Sequence, residues 1–173
     1  MGGRGAYRNF KAAVTVSAPK VKPNPKRVSA EHSIANVLRD LKKNGFSAKQ
    51  PFSIGLVEKR MRDFAEKNNI KLPSKSVYMS SRSISHSTRQ FKSSHGKTVS
   101  GKDLIKFPKN RRTMDLYYDG KAFIYTDYKN KYIVNPNYKI KIRGKKKKIV
   151  NFITAGKVND PKEFNLRKYV KVD

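Results

Sequence analysis

The chain has 173 residues, with 41 Lys+Arg against 12 Asp+Glu and a formal net charge of +29. Self-repulsion on that scale opposes a compact state unless an anionic partner neutralises it, whereas solubility alone asks for a net charge of only about 2–8 in a small domain. The composition therefore points to a polyanion, nucleic acid before an anionic membrane surface. Cys is absent, which excludes a disulfide framework, a thiolate zinc site and a cysteine nucleophile.

Residues 1 to 28 carry Arg4, Arg8, Lys11, Lys20, Lys22, Lys26 and Arg27 with no acid, broken by Pro19, Pro23 and Pro25. This reads as a basic, flexible arm, with one apolar patch (Ala12 to Val16) able to add an edge strand. Met1-Gly2-Gly3-Arg4-Gly5-Ala6 lacks the Ser or Thr that myristoylation wants, and no preceding strand makes Gly2-Gly3-Arg4-Gly5 a phosphate loop. No apolar run approaches the roughly 18–20 residues of a membrane span, and the start lacks the apolar core of a signal peptide. The expectation is a cytoplasmic product, or one built into a particle assembled there.

From Ser29 the period changes. Ala30, Ile34, Val37, Leu38 and Leu41 recur at helical spacing, with Ser29 as N-cap and Gly45 just past the end. Ser53 precedes a second apolar face (Ile54, Val57, Met61, Phe64) ending near Asn68, so residues 29–69 are expected to form a helical hairpin. Ser76 to Ser80 reads as a short strand and Ile84 to Lys92 as a short helix. Ser100-Gly101-Lys102-Asp103 imitates a capping box for a helix that Pro108 should stop.

After Arg112 the pattern alternates. Met114, Leu116 and Tyr118 interleave with polar positions, and Asp119-Gly120 signals a two-residue hairpin before Ala122 to Thr126. Lys131 to Asn135, Tyr138 to Arg143 and Lys148 to Thr154 follow as a meander. The expected domain spans 29–173, helical over 29–112 and a β-meander over 113–173. It is an α+β fold, with N-terminal helices packed on one face of a four- to five-stranded antiparallel sheet.

Three features could carry chemistry. The densest is Ser80 to Lys92, which puts His86 beside Arg82, Arg89 and Lys92. His titrates near neutrality, and RNA cleavage needs a base for the 2′-OH, an acid for the leaving oxygen and cations for the phosphorane, without a metal. Gly144-Lys145-Lys146-Lys147-Lys148, next to Arg143, suits phosphate contact at a hairpin tip, and equally blunts an edge strand. Tyr117, Tyr118, Tyr125, Tyr128, Tyr132 and Tyr138 could stack on bases, although half-buried strands favour Tyr in any case. His32, His86 and His95 lack metal-ligand spacing, so neither metal nor cofactor is expected.

The opening Met-Gly-Gly-Arg-Gly-Ala resembles the start of small proteins encoded near phage head genes. Residues 76 to 172 resemble the C-terminal nuclease-like domain of phage MuF-type head proteins and polymorphic toxins, of the barnase/EndoU/colicin/RelE-like fold. The shared run is a strand, Ile-Ser-His-Ser-Thr-Arg-Gln-Phe-Lys (84 to 92), a capped helix, and a meander ending in Asn-Phe-Ile-Thr-Ala (151 to 155). The resemblance implies metal-independent RNase chemistry, with His86 as acid/base residue, Arg89 and Lys92 as phosphate cations and Thr154 as an orienting hydroxyl. It implies location in the host cytoplasm or the phage virion, with head proteins as further partners. The nucleic-acid contacts expected from the charge pattern are Arg4, Arg8, Lys20, Lys22, Lys26, Arg27, Arg82, Arg143, Lys145, Lys146, Lys147 and Lys148. The alternatives are a non-catalytic head-associated protein that contacts packaged DNA, and a basic inhibitor of a host nucleic-acid enzyme.

Overall fold

Helix α1 (Ala30–Asn44) starts where the Ser29 hydroxyl accepts from the His32 amide at 3.1 Å. It ends at Gly45, whose left-handed φ of 75° lets its N–H reach the Leu41 carbonyl at 3.0 Å. Both caps fall where the sequence signals them in the computed structural model, which describes residues 28–89 and 96–173. Residues 1–27 of the basic arm, the Ala12 to Val16 patch among them, and residues 90–95 lie outside the described residues.

The second element differs from expectation. Phe52–Leu56 forms a strand, β1, and only Lys59–Lys67 is helical (α2), so there is no helical hairpin. The spacing of Ile54, Val57, Met61 and Phe64 fits a helix, but it fits a strand followed by a helix as well. A partner decides the matter: β1 pairs antiparallel with β2 (Ser76–Met79), and Gly55 sits at φ 124°, where no helix can pass. Ser80 then caps α3 (Ser81–Thr88), which starts earlier and ends earlier than its expected span. Ser100 accepts from the Asp103 amide and donates to its carboxylate at 2.8 Å, starting α4 (Gly101–Asn110). Pro108 does not stop α4, because only the bond to the Leu104 carbonyl is lost and the helix continues to Asn110.

The remaining strands are β3 (Asp115–Tyr118), β4 (Phe123–Thr126), β5 (Asn130–Ile142), β6 (Lys145–Lys157) and, after a 3₁₀ turn at Pro161–Asn165, β7 (Val170–Val172). A four-residue loop, rather than a two-residue one, joins β3 to β4. The sheet order is β1-β2-β6-β5-β4-β3-β7. All pairings are antiparallel except β2 with β6, where Val77 faces Val150 and Tyr78 faces Asn151. The fold class is α+β, but the sheet has seven strands and is mixed, which corrects the expected four or five antiparallel ones. Beyond the meander, β2 is the short strand read at Ser76 to Ser80 but not counted in the sheet, β1 lies inside a stretch read as helical, and β7 is too short to show a period. The parallel pair arises because β2 comes from that first half and adds to the edge of the later meander.

Helices α1, α3 and α4 cover one face. Phe107 of α4 centres the core, stacked on Tyr132 at 4.2 Å and edge-on to Tyr125 at 5.6 Å. On the opposite face Phe164 stacks on Tyr117 at 4.9 Å beside Ile124, so β3 and β4 are covered on both sides. The far half of the β5–β6 hairpin is different. β4 pairs β5 only from Lys131 to Val134 and β2 pairs β6 only at Val150 and Asn151, so residues 138–149 form a two-stranded ribbon beyond the sheet. Among the described residues no helix is long and apolar enough to cross a membrane.

Candidate nucleic-acid interface

Arg143 (φ 47°) and Gly144 (φ 77°) are the two central residues of the turn between Ile142 and its partner Lys145. Positive φ at both positions is the geometry whose twist suits a two-residue hairpin, and glycine accepts it at no steric cost. Lys145 to Lys148 therefore do not sit at the tip, as expected, but run along β6. Their cross-strand partners are Ile142, Lys141, Ile140 and Lys139 in turn. Alternation places Lys139, Lys141, Lys146 and Lys148 on one face of the ribbon, with Lys139 directly opposite Lys148 and Lys141 opposite Lys146. Lys145 and Lys147 share the other face with Ile140 and Ile142. Residues 139–148 hold seven cations and no acid, and all seven are exposed. Like charges directly opposite each other destabilise a strand pair, so the free ribbon carries a repulsive load.

At the root of the ribbon lies a second feature. Helix α3 follows β2 and lies along the part of β6 that β2 leaves unpaired. Ser87 fixes it there, accepting from the Ala155 amide at 3.0 Å and donating to the Ser83 carbonyl at 2.8 Å. Opposite α3 the β5–β6 register slips between Ile133/Val134, so that Phe152 and Thr154 face consecutive residues and Ile153 is bulged. Arg82, Ser83 and His86 of α3 meet Ile153 and Tyr138 around a pocket of about 180 Å³. Arg82 and His86 are both exposed, one helical turn apart.

The expected catalytic set does not converge there. Thr154 lines a different pocket, of about 200 Å³, with Lys97, Lys131 and Lys157, and Lys131 is held at 3.0 Å by Glu163. Arg89 is the exposed, extended C-cap of α3 and lines neither pocket. Lys92 lies outside the described residues, as do Arg4, Arg8, Lys20, Lys22, Lys26 and Arg27. The structure thus joins Arg82 to His86, and Arg143 to the four consecutive lysines. The sequence reading missed Tyr138 in the His86 pocket and Lys97, Lys131 and Lys157 around Thr154. It also missed Lys139 and Lys141, whose alternation with Ile140 and Ile142 is the signal that would have found them.

The tyrosines have mostly structural places. Tyr125 and Tyr132 are buried in the core and Tyr117 is buried under Phe164, so none of the three can stack on a base. Burial pushes the Tyr125 and Tyr132 phenols well above their ordinary range. Several of the acids serve local backbone and others pair with neighbouring cations. Asp119 accepts from the amides of Lys121 and Ala122, Asp127 from those of Lys129 and Asn130, and Asp160 from that of Lys162. None neutralises the ribbon. Among the described residues no three His, Asp or Glu side chains are grouped as a metal ion would require. Comparison of the chain with protein-family models, with curated proteins and with solved structures returns no match.

Proposed function

We propose that the protein binds nucleic acid through its phosphates, largely indifferent to base sequence. The observation that carries this reading is the β5–β6 ribbon, where seven cations and no acid occupy ten consecutive residues and lysines face lysines across the strands. That arrangement costs stability in the free protein and is relieved by an anionic ligand. Lysine is a point charge, suited to backbone contact rather than to reading base edges. The test is a salt titration of binding to a random-sequence oligonucleotide. If six or more phosphates are engaged, affinity should fall by about 10³-fold or more between 50 and 200 mM salt. An affinity nearly independent of salt overturns the reading.

A second reading, RNA cleavage, has one observation in its favour: His86 borders a pocket together with a cation, Arg82, and a phenol, Tyr138. His86 would take the 2′-OH proton as that oxygen bonds to phosphorus, the Tyr138 phenol would protonate the 5′-oxygen as its bond to phosphorus breaks, and Arg82 would bear on the phosphate, while Thr154, on its separate pocket, has no part in the step. The sequence resemblance to phage head-protein nuclease domains supports the same chemistry, and it suggests packaged DNA or host RNA as the polyanion. Labelled RNA incubated in excess EDTA decides between catalyst and binder. Cleavage to cyclic-phosphate products that His86→Ala slows by about 10²–10⁴-fold supports the enzyme. Absence of cleavage leaves binding alone.

A further inference from the structure

We infer that the β5–β6 ribbon docks in the major groove of duplex DNA, with lysines on both of its faces reaching the phosphates of the two groove walls. The inference rests on the nucleic-acid reading above and names its substrate class. Paired strands lie about 4.8 Å apart, and a two-stranded ribbon fits the B-form major groove, which is about 12 Å wide and about 8.5 Å deep. The major groove of A-form RNA is too narrow to admit it. From Tyr138↔Ile149 to Ile142↔Lys145 the paired ribbon runs five residues, about 17 Å at about 3.4 Å per residue, enough to lie along the groove for several base pairs. The charge layout favours this placement over a flat contact. Lys139, Lys141, Lys146 and Lys148 occupy one face and Lys145 and Lys147 the other, which suits a site with phosphate on both sides.

A single strand is the weaker fit. Proteins that hold single strands interleave cations with exposed aromatic rings, and beyond Tyr138 the ribbon has no aromatic residue. It also has no Asn, Gln, Asp or Glu to read adenine or cytosine edges, so the docking is governed by shape and charge, with guanine the one base its cations can bond.

The experiment compares the full chain with the variant Lys139→Gln, Lys141→Gln, Lys146→Gln, Lys148→Gln on three probes: a 20-base-pair DNA duplex, the RNA duplex of the same sequence, and one DNA strand. Wild type should bind the DNA duplex most tightly. The variant should flatten the logarithmic salt slope on that duplex by about 3–4, at about 0.9 per phosphate contact, and lose the preference for DNA over RNA duplex. Its melting temperature should be no lower than that of wild type, because the facing lysines no longer repel. Dimethyl sulfate footprinting should show protection of guanine N7, which lies in the major groove. An unchanged slope, an equal loss on all three probes, or unprotected N7 overturns the ribbon docking. A wild-type slope that stays steep in any of those cases leaves the nucleic-acid reading standing, whereas a flat wild-type slope removes both.

Discussion

Arg111 is 1% exposed, the largest fully buried side chain in the described structure. Its Nη1 donates to Glu58 Oε1 at 3.0 Å and to the Tyr125 hydroxyl at 3.3 Å, and its Nη2 donates to the Leu56 carbonyl at 2.7 Å. Arg60 completes the cluster, donating from Nε to Glu58 Oε2 at 2.8 Å and from Nη2 to the Arg111 carbonyl at 2.9 Å. One carboxylate thus serves two guanidinium groups, and its removal leaves a buried charge uncompensated. Glu58→Ala should cost about 3–5 kcal/mol in chemical denaturation. Gly55→Ala should act on the same cluster from the other side. A Cβ there would stand 3.0 Å from Arg111 Nη2 on a backbone at φ 124°, for a loss of about 1–3 kcal/mol. A Glu58→Ala protein as stable as wild type would show that the cluster contributes nothing. Little of this was legible in advance. Arg111-Arg112 reads as one more exposed basic pair, and only a carboxylate 53 positions earlier, at the start of a helix placed by tertiary packing, makes one of the two a core residue.

At the scale of elements, what could be read was local chemistry. Ser29, Ser80 and Ser100 each cap a helix through a bond that three residues of sequence determine; the starts at Ser29 and Ser100 are legible, whereas the one at Ser80 lies ahead of the expected Ile84. Ser100→Ala should lower stability by about 1 kcal/mol, measured as a shift in denaturation midpoint with unchanged slope, and a null effect would mean that the first turn of α4 is held by packing alone. Strand β1 was illegible for the converse reason. Five residues with Ile54 and Leu56 on different faces carry no period of their own, and the partner that makes them a strand lies some twenty positions onward. The candidate site divides in the same way. Arg82 and His86 come together because they lie one turn apart on a helix, whereas Thr154 lies on the strand position next to Ile153 and lines the other pocket, a placement that depends on tertiary packing. The lysine run was seen, but its placement along β6 rather than at the tip depends on the positive φ of Arg143, a residue not usually found there.

For the whole molecule, the twelve acids cannot balance forty-one cations, and those described mostly cap turns, start helices or pair with a neighbour. Long-range repulsion then remains, and salt screens it over about 10 Å at 0.1 M. The melting temperature should rise as salt is raised from about 10 mM to several hundred millimolar, a range over which binding to nucleic acid should fall. A melting temperature that drops over that range would show that ion pairs outweigh repulsion. The parallel β2–β6 pair has a further consequence, for synthesis. Val77 meets Val150, 73 positions later in the chain (77 to 150), and at about 5–20 residues per second a ribosome needs about 4–15 s to supply the second partner. During that interval the β1–β2 pair has one edge unmatched, within a nascent segment already rich in lysine and beside ribosomal RNA. Completion of β6 joins the early hairpin to the late meander, so the same strand that carries the lysines also ends the nascent chain's exposure.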